Sequence, residues 1–248
     1  MIFETLIGLA LPFLGTAAGA ACVFFLAEKH REGLETGLNG FAAGVMVAAC
    51  IWSLLTPAME LSVHWGKLCF VPALIGLFGG FFFFTSMDLW VSRQQREKGS
   101  RMVLAVNLHN LPEGMAVGAV YAGCLAALPG LCISEALALS AGIAIQNIPE
   151  GAIVSLPQRR AGRSSCRAFG SGLFSGLIEP LGALATIACY RIIHPALPYL
   201  LGFAAGAMLY VVIRELIPSL EQGRRPNQGA LLFAMGFSLM MALDVSLG

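Results

Sequence analysis

The chain reads HNLPEG at residues 109–114 and QNIPEG at 146–151, two copies of Asn-x-Pro-Glu-Gly, each behind a long side chain with a lone pair to offer. Both lie within apolar stretches, where charge and proline are costly. In a helix, residues four apart share a face and residues three apart are neighbours. His109 stands four before Glu113 and Asn110 three before it; Gln146 and Asn147 stand in the same relation to Glu150. If two such helices meet antiparallel, two central carboxylates are flanked by His109 and Gln146 on one side and by Asn110 and Asn147 on the other. That set can hold one divalent cation, or two that share bridging carboxylates. Carboxylate, imidazole and amide without thiolate suit a borderline divalent ion that must leave again.

Pro112 and Pro149 lack an N–H, so the carbonyls of Leu108 and Ile145 need other donors or a polar cavity. Gly114 and Gly151 permit close approach of a neighbouring helix or an ion. Together these features describe a kinked, cavity-lining helix centre. Glu179, in a later apolar segment, adds a third carboxylate at similar depth. Three ionised, unpaired carboxylates inside a membrane cost roughly 8–10 kcal/mol on the insertion scale. No Lys or Arg stands at comparable depth, and Arg214, toward the cytoplasmic end of its segment, is the one basic residue within a span. The missing positive charge is most simply a cation that comes and goes, or protons, or both. Protonated glutamates acting only as hydrogen-bonded glue would fit a lone Glu better than two matched motifs. Glu215, beside Arg214 near the membrane edge, reads first as half of a neighbour pair and second as a step on an exit path. Asp88 and Asp244 are expected to be solvated at helix ends, and His30, His64 and His194 to be ordinary surface residues.

The elements that must position these residues are membrane spans. The 248 residues are 57% hydrophobic and 12% charged, against roughly 25% charged in a soluble domain, and mean hydropathy is +0.78. A hydrocarbon core of ~30 Å takes about 20 helical residues to cross. Eight segments qualify: about 5–27, 38–57, 69–91, 102–123, 131–156, 167–190, 197–218 and 229–247. The fold class expected is therefore an all-α integral membrane protein, a single polytopic domain over 1–248 in a lipid bilayer. No room remains for a soluble domain, and the Phe81–Phe84 run fits a lipid-facing or packing role. The N-terminus does not read as a cleavable signal: it lacks a basic n-region, carries Glu4, and its apolar run from Ile7 to Leu26 is long enough to span. A net charge of +1 gives no reason to expect nucleic acid.

The first, third, fifth and seventh loops hold twelve Lys and Arg residues, against Lys67 and Arg191 in the even ones. By the positive-inside bias the odd loops are cytoplasmic and both termini extracytoplasmic. The fourth and fifth segments then run antiparallel, and a motif repeated on antiparallel neighbours points to an inverted repeat with the site on its axis. The seven cysteines are scattered without a CxxC pair and read as small buried hydrophobes. Cys124 and Cys132, which flank a short loop, could pair if that loop faces an oxidising compartment.

Eight spans, HNLPEG in the fourth, QNIPEG in the fifth and Glu-Pro-Leu-Gly (179–182) in the sixth together resemble the ZIP family of divalent metal transporters, closest to its bacterial members. The resemblance covers essentially the whole chain. It implies a binuclear transport site, with one metal at His109, Glu113, Gln146 and Glu150 and the other at Asn110, Glu113, Asn147, Glu150 and Glu179. It further implies uptake of Zn²⁺, or of Fe²⁺, Mn²⁺, Cd²⁺ or Co²⁺, toward the cytosol, an elevator-like motion, a homodimer in many members, and for a bacterial member the inner membrane. The metal is then the transported substrate, with no prosthetic group and no catalytic residue. Two positions depart from the family pattern: Gln146 stands where many members have His, and Asn147 where some bacterial members have Asp. A neutral amide is a weaker ligand than either, which bears on affinity and metal preference. The loop between the third and fourth segments holds no histidine.

Two other classes are weighed against this reading. An intramembrane metalloprotease needs an H-E-x-x-H type helix, which is absent. A proton-coupled carrier of a small organic solute could use the same carboxylates for protons alone, but the His109/Glu113 and Gln146/Glu150 spacing favours metal ligands. No Gly-rich phosphate loop is present, which argues against direct coupling to ATP.

Overall fold

The computed structural model describes residues 2–25, 31–93, 98–128, 131–160, 162–190, 194–222 and 226–247. Every regular element among them is helical. Helix α1 is Ile2–Ala20, and α2 is Arg31–Ala49, running on through a π-helical turn at Cys50–Leu55 into Thr56–Glu60. Helices α3, α4 and α5 are Phe70–Arg93, Lys98–Leu125 and Ile133–Arg160. Helix α6 has two pieces, Ser165–Gly176 and Ile178–Ala188. Helix α7 is Leu197–Val211, continued by a π-helical turn at Val212–Leu216 and by Ile217–Gln222, and α8 is Pro226–Leu247.

The eight expected segments are all present. Helix α2 starts earlier than expected, at Arg31, because REGLET is a polar but helix-favouring opening turn that precedes the apolar stretch. Among the described residues seven helices are long and apolar enough to cross a membrane; α4 contributes the shorter apolar stretch Glu113–Leu125. Its 28 residues nevertheless reach about 42 Å. The shortfall comes from its polar first half, where Lys98, Arg101, Asn107, His109 and Asn110 fall.

Regular helix continues through both hexapeptides. The interruptions fall at other prolines. In α2 the N–H of Thr56 reaches back to the carbonyl of Ile51, one residue before Pro57. In α7 the N–H of Ile217 reaches Val212, one residue before Pro218. A proline cannot bond the carbonyl four residues back and its ring presses on it, so a wider turn relieves the clash. Helix α6 is divided at Leu177, just before Glu179 and Pro180.

The helices pack most extensively as α1 on α5, α2 on α8, α3 on α7, and α4 on the second piece of α6. Lipid provides no hydrophobic drive between spans, so association relies on close backbone approach at small residues. The α3–α7 contact shows this reciprocally. A methyl added at Gly76 or Gly80 would meet the carbonyl of Tyr199 or Phe203, and one at Gly202 or Gly206 the carbonyl of Ala73 or Leu77. The core is lined by Met46, Leu54, Tyr121, Leu139, Ile143, Leu201 and Met208. Phe78 and Phe82 on α3 and Leu231 and Met235 on α8 are exposed, as lipid-facing residues would be.

Two expectations are corrected. Asp244 is not solvated: it is 9% exposed, and the Ser53 hydroxyl lies 2.8 and 3.1 Å from its two carboxylate oxygens. The π turn of α2, which carries Ser53, packs against α8 and covers this carboxylate. Asp88 stays partly exposed and accepts from Tyr210 (2.9 Å) and Arg214 (3.2 Å) on α7. Nor are the cysteines all buried: Cys50 is, Cys22, Cys69, Cys124 and Cys132 are half-buried, and Cys166 on α6 and Cys189 at its end are exposed. All seven, Cys124 and Cys132 included, are free thiols. His64 is exposed, as expected; His30 and the side chains of His109 and His194 lie outside the described residues.

Gly206→Ala should lower the thermal midpoint of the detergent-solubilised protein, even though alanine is the better helix former by up to about 1 kcal/mol. Gly170→Ala, where nothing lies within 4 Å of the added methyl, should hold or raise it. Equal midpoints for the two variants would remove the close-packing account of the α3–α7 contact.

Candidate metal centre

The two hexapeptides meet. The Gln146 amide on α5 donates to Glu113 Oε1 on α4 at 2.8 Å. Their terminal glycines bring the remaining walls close. A methyl on Gly114 would overlap the backbone of Glu179 on α6, and one on Gly151 the backbone of Thr16 on α1. Four helices therefore converge at one level, and six expected site side chains are buried there: Asn110, Glu113, Gln146, Asn147, Glu150 and Glu179. His109 lies on α4, but its side chain falls outside the described residues. Glu215 sits on the π turn of α7 with its side chain exposed.

The hydrogen bonds recruit partners that were not anticipated. Asn147 Nδ2 donates to Glu179 Oε2 at 2.6 Å and to the Pro12 carbonyl at 3.2 Å. The Thr16 hydroxyl lies 3.2 Å from Glu179 Oε1 and 3.3 Å from the Pro12 carbonyl. Asn110 Nδ2 donates to the Ser175 carbonyl at 3.0 Å. Thr16, Pro12 and Ser175 thus belong to the centre. The only hint of Thr16 in the sequence is a hydroxyl between Gly15 and Gly19 in an otherwise apolar run, which by itself reads as packing.

The donors and acceptors are unbalanced. Five buried oxygens in this cluster have no partner among the described residues: Asn110 Oδ1, Glu113 Oε2, Gln146 Oε1, Asn147 Oδ1 and Glu150 Oε2. All are acceptors, while the amide nitrogens of Asn110, Gln146 and Asn147 already donate to oxygen. A buried acceptor without a donor loses its hydration uncompensated, and a carboxylate loses most. Among the described residues no lysine or arginine pairs with the three glutamates. Nor do three His, Cys, Asp or Glu side chains gather closely enough to hold an ion by themselves; the groups touching Glu113 and Glu179 are amides and a hydroxyl. Buried carboxylate and amide oxygens left open can receive positive charge, and the sequence places the imidazole of His109 next to them as a nitrogen donor.

Residues 95–244 match the family model described as ZIP Zinc transporter. Zinc transporter ZIP11 of Xenopus tropicalis is 32% identical over 331 aligned residues, covering 100% of this chain and 98% of that protein. Zinc transporter GufA of Myxococcus xanthus is 36% identical over 261 residues, covering 98% of each. Zinc transporter ZIPB of Bordetella bronchiseptica is 34% identical over 257 residues, covering 98% of this chain and 81% of that protein. Relatives that align from end to end, together with apolar helices that close on a cluster of open oxygens, make one assignment: the chain belongs to the ZIP zinc transporter family, whose members are membrane transporters and not enzymes.

Proposed function

We propose that this chain carries divalent transition-metal cations, zinc foremost, across a cell membrane toward the cytosol through the centre shared by α4, α5 and α6. The observation that carries this reading is the set of five acceptor oxygens on the two hexapeptides that have no partner among the described residues, which a cation would satisfy and another donor-poor helix would not. Zinc is placed first because the relatives are named zinc transporters; iron, manganese, cadmium and cobalt are chemically similar cargo for an imidazole, carboxylate and amide set. Glu113 and Glu150 are the central ligands, with His109 and Gln146 on one flank and Asn110, Asn147 and Glu179 on the other. Glu215, on the exposed π turn, is a step on the exit path.

The architecture we infer is an inverted repeat that exchanges α1 with α6, α2 with α7, α3 with α8 and α4 with α5. The packing partners support it, since that exchange turns the α1–α5 contact into α6–α4 and the α2–α8 contact into α7–α3. The two π turns, each one residue before a proline, fall on the exchanged pair α2 and α7. The tightest contacts keep α1, α4, α5 and α6 together as one group and α2, α3, α7 and α8 as another. Sliding of the first group against the second would carry the centre from one face to the other. Both termini lie outside, from the bias of basic residues toward the odd loops.

In proteoliposomes, Glu113→Ala and Glu150→Ala should each reduce zinc uptake to the level of empty vesicles. Unimpaired uptake in both would reduce the glutamates to structural glue. Uptake by the unaltered chain should also weaken as the outside medium is acidified, because carboxylate and imidazole ligands must shed protons to bind a metal. A rate that is flat or rises in acid would contradict this.

A further inference from the structure

A second ion on the Glu179 flank, which the family resemblance implies, does not fit the partners that Glu179 already has. Oε2 accepts from the Asn147 amide, and Oε1 faces the Thr16 hydroxyl, whose single proton it shares with the Pro12 carbonyl. The orientation of the amide is set by its surroundings: Asn147 Nδ2 lies between Glu179 Oε2 and the Pro12 carbonyl, and the carbonyl can only accept, so turning the amide over would set oxygen against oxygen there. On the other flank the open acceptors include two carboxylate oxygens, Glu113 Oε2 and Glu150 Oε2, and the amide Gln146 Oε1. The open oxygens on the Glu179 flank, Asn110 Oδ1 and Asn147 Oδ1, are neutral amides.

Charge leads to the same place. Two divalent cations against three carboxylates would leave a buried excess of positive charge with no anion to meet it. A single cation leaves no such excess, and Glu179 keeps the Asn147 amide on Oε2 and the Thr16 hydroxyl beside Oε1.

We infer that the centre takes a single divalent cation on the Glu113, Gln146 and Glu150 flank, and that Asn147 and Thr16 hold Glu179 where a second ion would otherwise sit. This rests on the transport reading above and specifies its stoichiometry. Asn147 is the determinant, since an aspartate there would remove the donor, add a fourth carboxylate and balance two divalent charges.

The test counts metal and needs no transport. Zinc chloride is equilibrated with the purified full chain in detergent, free metal is removed by gel filtration, and bound zinc is measured by inductively coupled plasma mass spectrometry. A Glu113→Ala/Glu150→Ala double variant sets the baseline. The unaltered chain should retain about one zinc above baseline and Asn147→Asp about two. Two above baseline in the unaltered chain overturns the inference, and so does Asn147→Asp remaining at one. The count on the unaltered chain decides the matter even where Asn147→Asp does not fold. No zinc above baseline in either protein would overturn the transport reading itself.

Discussion

Three carboxylates buried among apolar helices, with no basic side chain pairing them among the described residues, set the terms for everything around them. Lipid cannot hydrate them, so their partners must be supplied by the protein. The side chains that reach them are uncharged amides and a hydroxyl: Gln146 on Glu113, and Asn147 with Thr16 on Glu179. Neutral donors soften the cost of burial without cancelling the negative charge, as an arginine would. That is what the proposed passage of a cation requires, and a permanent ion pair would defeat it.

Holding those donors in place requires backbones closer together than ordinary side chains allow. Gly114 and Gly151 close the two hexapeptides, and each lies against the backbone of the helix that completes the centre, α6 at Glu179 and α1 at Thr16. The residue that follows each central glutamate thus brings the second layer of donors within reach. The same device recurs where no chemistry is involved, along α3 and α7, where it serves cohesion in a solvent that gives apolar side chains little reason to associate.

Much of this was legible in the sequence because it is repetitive. Hydropathy and length marked the eight helices, and the echo of Asn-x-Pro-Glu-Gly marked the central residues before any geometry was known. What escaped is what has no pattern. Thr16 carries no echo and becomes part of the centre only because α1 lies against α5. Asp244 stands close to the end of α8, a position that in sequence reads as solvated. It is buried because the distant residue Ser53 covers it. The widened turns were equally hidden. Five of the spans carry a proline beside a glutamate or within two residues of a hydroxyl, and nothing local says which of them will accommodate it by widening and which by regular helix.

Those widened turns have an effect on register. An ordinary helix advances about 100° per residue, and a π turn inserts one extra residue into one revolution. Every side chain beyond Leu55 in α2, and beyond Leu216 in α7, is therefore rotated by about a quarter of a circle relative to the stripe that the preceding residues define. Apolar periodicity measured across either position loses phase, so the two halves of each helix address different neighbours although the chain reads as one hydrophobic run. Deleting a single residue from Cys50–Leu55 or Val212–Leu216 would close the widened turn to an ordinary one and leave Pro57–Glu60 and Pro218–Glu221 on their present faces, whereas the same deletion in a regular stretch of either helix would turn every later side chain by about 100°.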